Sequence, residues 1–281
     1  MHRQRGFTLM EMMVVVLVLS VVMGAVFGLM NMAQQRYRAE SDVLDAFQGS
    51  RAVVDQITRE VHSAGYPPVK HFPQSCIGGG PPGCCAGCND LQGRPYDPAL
   101  SNFVASGFVS NSMACTPGLS CTIPSSFTLV LEEDVDPENN NGAEWVVYTL
   151  RAPDGGAPVA GQPNVLWRGV LPKQAGGTLD ANGAHAIAAA QLGGNVANAG
   201  LVPMVFNVMN DPTSNNAGFG NVAAENQKLF RYEFNYSTPA QTAQNIRTVY
   251  VNMIVQSQNR DPKTAQFRTV YLRGSARRFN F

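Results

Sequence analysis

Residues 12–35 read MMVVVLVLSVVMGAVFGLMNMAQQ, an uninterrupted run without a charged side chain. About 20 apolar residues suffice to carry a helix across a bilayer, so the run is long enough to span one. His2, Arg3 and Arg5 make the preceding flank basic. Positive charge stays on the cytoplasmic side, so the N-terminus is expected inside and the rest of the chain across the membrane. No proline occurs from Met1 to Tyr66, and a long unbroken helix is therefore feasible.

An ordinary secretory signal would place a small-residue cleavage site after the apolar run. Here the candidate junction, Gly6-Phe7, lies before it. The stretch Arg5-Gly6-Phe7-Thr8-Leu9-Met10-Glu11 resembles the leader-peptidase site of type IV prepilins: a basic leader, glycine, an aromatic first residue and a lone acid five residues on. The resemblance implies that residues 1–6 are a leader removed by prepilin peptidase, that Phe7 becomes N-methylated, and that residues 7–35 remain as membrane anchor and filament-core helix. Glu11 has a physical rationale in that setting. A carboxylate inside an apolar helix costs ~2–4 kcal/mol on insertion scales. The resemblance offers it a cation, the new α-amino group of Phe7 on the same or a neighbouring subunit. Before assembly, Glu11 can sit at headgroup depth. Gly24 and Gly28 leave two readings open: close approach or local unwinding between packed helices, or glycines tolerated in a membrane helix.

Beyond the run, residues 36–66 continue as an amphipathic helix. Tyr37, Leu44, Phe47, Val54, Ile57 and Val61 recur at spacings of three, four and seven, which predicts one face for packing against a sheet. From Phe7 to His62 the helix would measure roughly 84 Å. Gly65 and Pro67-Pro68 end it. The segment Ile57-Thr58-Arg59-Glu60-Val61-His62-Ser63-Ala64-Gly65-Tyr66 resembles the helix end of PilW-type minor pilins, with His62 where those carry a basic residue. J-type minor pseudopilins of type II secretion have a similar helix end.

All six cysteines, Cys76, Cys84, Cys85, Cys88, Cys115 and Cys121, lie in the Pro/Gly-rich residues 67–125. In an oxidising compartment an even, clustered set reads as disulfides, with 15 possible connectivities. Cys115 and Cys121 bracket a Pro-Gly turn and form the most plausible local pair. Cys85-Ala86-Gly87-Cys88 also fits a redox dithiol or half of a zinc site. A redox motif needs a βαβ context that is missing here, and oxidation competes with zinc, so structural disulfides are the preferred reading.

Residues 126–281 read as an antiparallel β head. Strand-like segments run over 127–133, 144–151, 164–170, 204–209, 229–237, 246–257 and 266–279. Phe230, Tyr232, Phe234 and Tyr236 alternate with polar residues, as do Val249, Val251, Met253 and Val255. Period two with one apolar face predicts a sheet lying on the helix stripe. Residues 172–226 read as long loops with a short helical piece near 184–192. In the acidic turn at 132–142, Asp134, Asp136, Glu138 and Asn140 supply oxygen ligands on alternate residues, a calcium-compatible pattern. The EF-hand signature is not met, and a solvated turn is preferred to a metal site.

Twenty Lys plus Arg balance 20 Asp plus Glu, which argues against nucleic-acid binding through bulk charge. Residues 240–281 nevertheless hold seven basic residues and one acid, Asp261. Gly-x-Ser-x-Gly, phosphate-loop and His-Glu-x-x-His motifs are missing, so neither an enzyme nor a cofactor is expected. The sequence thus predicts an α+β protein: a long N-terminal helix packed on an antiparallel sheet, with a disulfide-rich loop region between. The resemblance implies a minor pilin that assembles or primes a type IV pilus, anchored in the inner membrane with a periplasmic head. Its partners would be other pilins and prepilin peptidase, with no nucleic acid. The alternatives are a type II secretion pseudopilin and a tip adhesin or DNA-uptake pilin.

Overall fold

The computed structural model describes residues 8–65, 108, 110–111, 127–133, 135, 144–159, 161–172, 186–187, 200–210, 228–234 and 245–279. Gly6, Phe7, all six cysteines and the calcium candidates Asp134, Asp136, Glu138 and Asn140 lie outside those residues.

One helix, α1, runs from Leu9 to Ser63. Thr8 caps it: the Thr8 hydroxyl accepts the Glu11 backbone N–H at 3.3 Å, satisfying one of the donors a helix start leaves over. At the other end Gly65 takes a left-handed φ of 89°, which glycine adopts without strain. Its N–H then donates to the Glu132 carbonyl at 2.9 Å. The residue that stops the helix therefore also joins it to a strand.

Nine strands follow: β1 Ser110–Asn111, β2 Thr128–Glu133, β3 Glu144–Arg151, β4 Asn164–Pro172, β5 Ala186–Ile187, β6 Val202–Val208, β7 Phe230–Phe234, β8 Ile246–Arg260 and β9 Phe267–Arg277. Seven form one antiparallel sheet in the order β2-β3-β4-β6-β8-β7, with β9 also on β8. β8 is long enough to serve three partners. β7 pairs with its first half, β6 meets it near Val255, and β9 pairs along its opposite edge. The strands expected from period two are thus present. The helical piece expected near 184–192 is contradicted at Ala186–Ile187, which pair in parallel with Ser110–Asn111. Local alanine propensity is a weak prior beside a tertiary pairing.

The helix lies across β8 and β9. Val53, Val54, Ile57 and Val61 bury against Val249, Val251, Met253 and Val255 of β8, with Phe230 and Ala276 beside them. The opposite face of β2, β3 and β4 carries a second buried cluster, including Val130, Trp145, Val147 and Trp167. Those strands are therefore covered on both faces, which explains why they read as continuous apolar runs instead of alternating ones.

The predicted helix stripe needs correction at two positions. Tyr37 is 75% exposed and Leu44 56%. The buried line instead passes through Ala39, Ser50, Val53, Val54, Ile57 and Val61. The heptad step from Tyr37 to Leu44 leads on to Arg51, not to Val54. At 100° per residue, Tyr37 and Leu44 sit on a different face from the buried line.

Candidate assembly site

Every residue from Thr8 to Arg38 is exposed. The chain thus presents eight turns of exposed helix beyond its own core, of which about six, from Met12 to Ala33, are uncharged and mostly apolar on all sides. This is the one described helix long and apolar enough to cross a membrane. An apolar surface this large marks contact with lipid or other helices. Ser20 returns its hydroxyl to the Val16 carbonyl at 2.7 Å, so it places no unsatisfied donor in that surface. A Cβ added at Gly24 or Gly28 would meet nothing within 4 Å, so packing among the described residues does not call for either glycine.

Glu11 projects from this surface as its lone acid. Its backbone is held by Thr8, and among the described residues its carboxylate has no partner. The Thr8-Leu9-Met10-Glu11 spacing is a capping-box signature that the sequence reading passed over. It fixes the start of the helix and the position of Glu11 together.

At the far end of α1, a polar cluster fastens the helix to the head. The Arg168 Nη2 of β4 meets Glu60 Oε1 at 2.7 Å, and Arg168 Nε donates to the same oxygen at 3.1 Å. The Tyr148 hydroxyl of β3 donates to the other Glu60 oxygen, and Gln56 Nε2 donates to Glu60 at 3.1 Å. Ser63 donates to Glu133 of β2. Burial would lower the Arg168 pKa, but its hydrogen bonds and attraction to Glu60 more than reverse that. Burial, then the Glu60 charge, pushes the Tyr148 hydroxyl well up. Glu133 is raised to about 7, chiefly by burial, with Ser63 opposing and Glu60 adding to the rise. Two carboxylates face one guanidinium, and the more buried of them favours its proton.

A second fastening joins the helix to β9. His62 Nδ1 lies 2.6 Å from the Arg277 carbonyl, and its ring stacks on Phe279 at 4.6 Å. Lower down, Asn259 Nδ2 donates to Asp42 at 2.6 Å. Of the C-terminal basic residues, Arg268 pairs with Asp261 at 2.6 Å. Arg260 and Arg273 lie over Phe267 and Tyr271, and Arg278 lies over Phe108 with burial lowering its pKa to about 10. The basic excess is thus partly absorbed by one carboxylate and several rings.

The sequence reading quoted Glu60 and His62 as part of the helix end but gave neither a structural role. It missed Tyr148, Arg168 and Glu133. Of the residues it singled out, the structure describes only Glu11 among the processing and assembly set. Among the described residues, no group of three or more His, Cys, Asp or Glu is arranged to hold a metal ion.

The prokaryotic N-terminal methylation motif matches residues 1–27. Over that segment the chain is similar to type IV pilin-like proteins. Proteins carrying this motif are structural subunits, and the apolar N-terminal helix is a membrane anchor. No characterised protein and no solved structure matches the chain.

Proposed function

We propose that this pilin-like chain is a PilW-type minor pilin that takes part in assembling or priming a type IV pilus. Prepilin peptidase cleaves between Gly6 and Phe7, Phe7 is N-methylated, and the helix holds the protein in the inner membrane with its head in the periplasm. On assembly the apolar half of α1 leaves lipid and packs among the helices of other pilins. Glu11 pairs there with the α-amino group of Phe7. The observation that carries this reading is the exposure of the whole segment from Thr8 to Arg38, uncharged between Glu11 and Arg36. Such a surface suits both environments in turn, since lipid tails and neighbouring apolar helices solvate it equally well. The clamp of Glu60, Arg168 and Tyr148 supports the same reading, because a head carried by one helix needs a stiff joint to it.

The Ile57–Tyr66 helix end also suits a J-type pseudopilin of type II secretion. Mass spectrometry of filaments sheared from cells tests the choice. The protein is expected in them at a small fraction of the main subunit. Its recovery instead with a secretion-machine complex, and its absence from sheared filaments, would overturn the pilus assignment in favour of the pseudopilin.

A further inference from the structure

Strand β9 runs beside α1 for the length of the head: Arg268 lies with Ala39 around one groove, Gly274 lies against Val54, and Arg277 lies at His62. One edge of β9 pairs with β8. The orientation of the other edge follows from the ladder. Asn252 donates its N–H to Leu229, and Ile254 accepts the N–H of Met209. Both residues therefore turn their backbones away from β9. Their register partners, Arg273 and Tyr271, turn away likewise, and by alternation so do Thr269 and Ser275, each aiming N–H and C=O away from β8. The Arg277 carbonyl belongs to the same series, and it is met by His62. Among the described residues, no strand pairs with this outer edge.

The helix adds two exposed apolar side chains on the line beside that edge. His62 marks the line of α1 that faces it. Leu44 lies 18 residues before His62, five whole turns, and Tyr37 lies seven turns before it. These are the two residues of the expected stripe that the core leaves exposed; Arg51 and Asp55 lie between Leu44 and His62 on the same line. The strand itself contains Arg273 and Arg277, besides Arg268, which pairs with Asp261, and no acid.

We propose that the outer edge of β9, with Leu44 and Tyr37, is a docking edge that receives an extended segment from a different pilin-like subunit, apolar on its helix-facing side and acidic on the other. The mode is strand addition, in which ladder hydrogen bonds give affinity and alternate side chains give specificity. A second copy of this chain is the wrong occupant, because two β9 edges would set arginines against arginines. The same arginines keep the edge from pairing with itself before its partner arrives. The edge is also continuous with the assembly surface. The line through Tyr37 and Leu44 extends the exposed half of α1, so a neighbour packed along the helix meets the strand edge next. This inference rests on the assembly reading above.

The test is photo-crosslinking in intact cells, with a benzoyl-phenylalanine placed at Leu44 or at Ser275 of the full chain. Both probes are expected to give adducts with an extended, acidic segment of another pilin-type subunit. Ser275→Pro removes an outward N–H and leaves the β8 ladder intact, and it should cut the Leu44 adduct about tenfold, as expected for one lost ladder bond and its neighbours. Ser275→Ala should leave the adduct unchanged, and Arg273→Glu should reduce it. Protease resistance of the head checks that each variant is folded. Adducts with a second copy, the lack of any adduct, or a Leu44 adduct indifferent to folded Ser275→Pro would each overturn the proposal. The minor-pilin reading fails separately, if the protein is missing from sheared filaments while these adducts persist.

Discussion

Glu133 is the residue whose surroundings make the clearest demand. Its carboxyl is held at about 7 by burial, with Ser63 opposing and Glu60 adding to the rise, Arg168 lowering it and Glu144 raising it. Between the ordinary carboxylate value of about 4.5 and 7, the folded chain keeps a proton that the unfolded chain has released. Stability should therefore be fullest below about 4.5 and fall as pH rises through 7, by up to ~3 kcal/mol. Fluorescence of the buried Trp145 and Trp167 follows unfolding in detergent at pH 5 and pH 8. Glu133→Gln is expected to flatten the difference and raise the pH 8 stability. A wild-type protein equally stable at both values would sink the assignment. None of this was legible in the sequence, where Glu133 reads as one more acid of a solvated turn. Its partners are remote: Ser63 stands 70 positions away along the chain, and Glu60 and Arg168 are separated by 108. Glu11 was legible for the opposite reason. Everything that marks it lies within a few residues, in an uncharged background where a single carboxylate is conspicuous.

Helix and strands were read because their hydrophobic periods are local. The 3.6-residue period ran out only where two apolar residues, Tyr37 and Leu44, face away from the sheet, and period two says nothing about strands covered on both faces. How tightly the elements meet was not legible either. At Gly274 of β9 an added Cβ would fall 2.5 Å from the Val54 Cγ1 of α1, so the helix rests on the strand where there is no side chain. Gly274→Val should lift α1 from β9 and cost ~1–3 kcal/mol. Combining it with Val54→Ala should restore part of the loss, and thermal melts of the two single variants and the double variant would measure the coupling. Strict additivity would show that the two residues do not share the contact. The other end of α1 is tested by Glu11→Ala. Losing a charge eases insertion, so processing and membrane retention should persist. If a docked Glu11 faces the α-amino group of a neighbour, its removal leaves that cation uncompensated at ~3–5 kcal/mol, and the ratio of filament to membrane protein on immunoblots should fall sharply. Glu11→Gln should fail similarly, since it keeps the shape and loses the charge. An unchanged ratio in both variants would refute the pairing.

At the scale of the whole molecule, the proposed function divides the chain into a helix that faces lipid and a head that would form its disulfides in an oxidising compartment. The two properties can be separated. On that proposal cleavage acts at the cytoplasmic end, on Gly6-Phe7, whereas export of the head would follow from the basic flank His2, Arg3 and Arg5 together with the uncharged run. The mature protein should therefore have an intact mass that begins at Phe7, carries one added methyl group and lacks two hydrogens for each disulfide among Cys76, Cys84, Cys85, Cys88, Cys115 and Cys121. Gly6→Val should retain residues 1–6 and the methyl-free N-terminus, yet its cysteines should be oxidised like those of the wild type, because blocking the peptidase does not turn the helix round. Mass mapping under non-reducing conditions reads both facts from one sample. Free thiols in the uncleaved variant would mean that the head reaches the periplasm only after processing, and a mature mass starting beyond the apolar run would mean an ordinary secretory signal. Stoichiometric zinc in the isolated protein would defeat the disulfide reading while leaving the orientation intact. The expected pair of results, an uncleaved leader and a fully oxidised head on one chain, would require the helix itself to be what carries the head across.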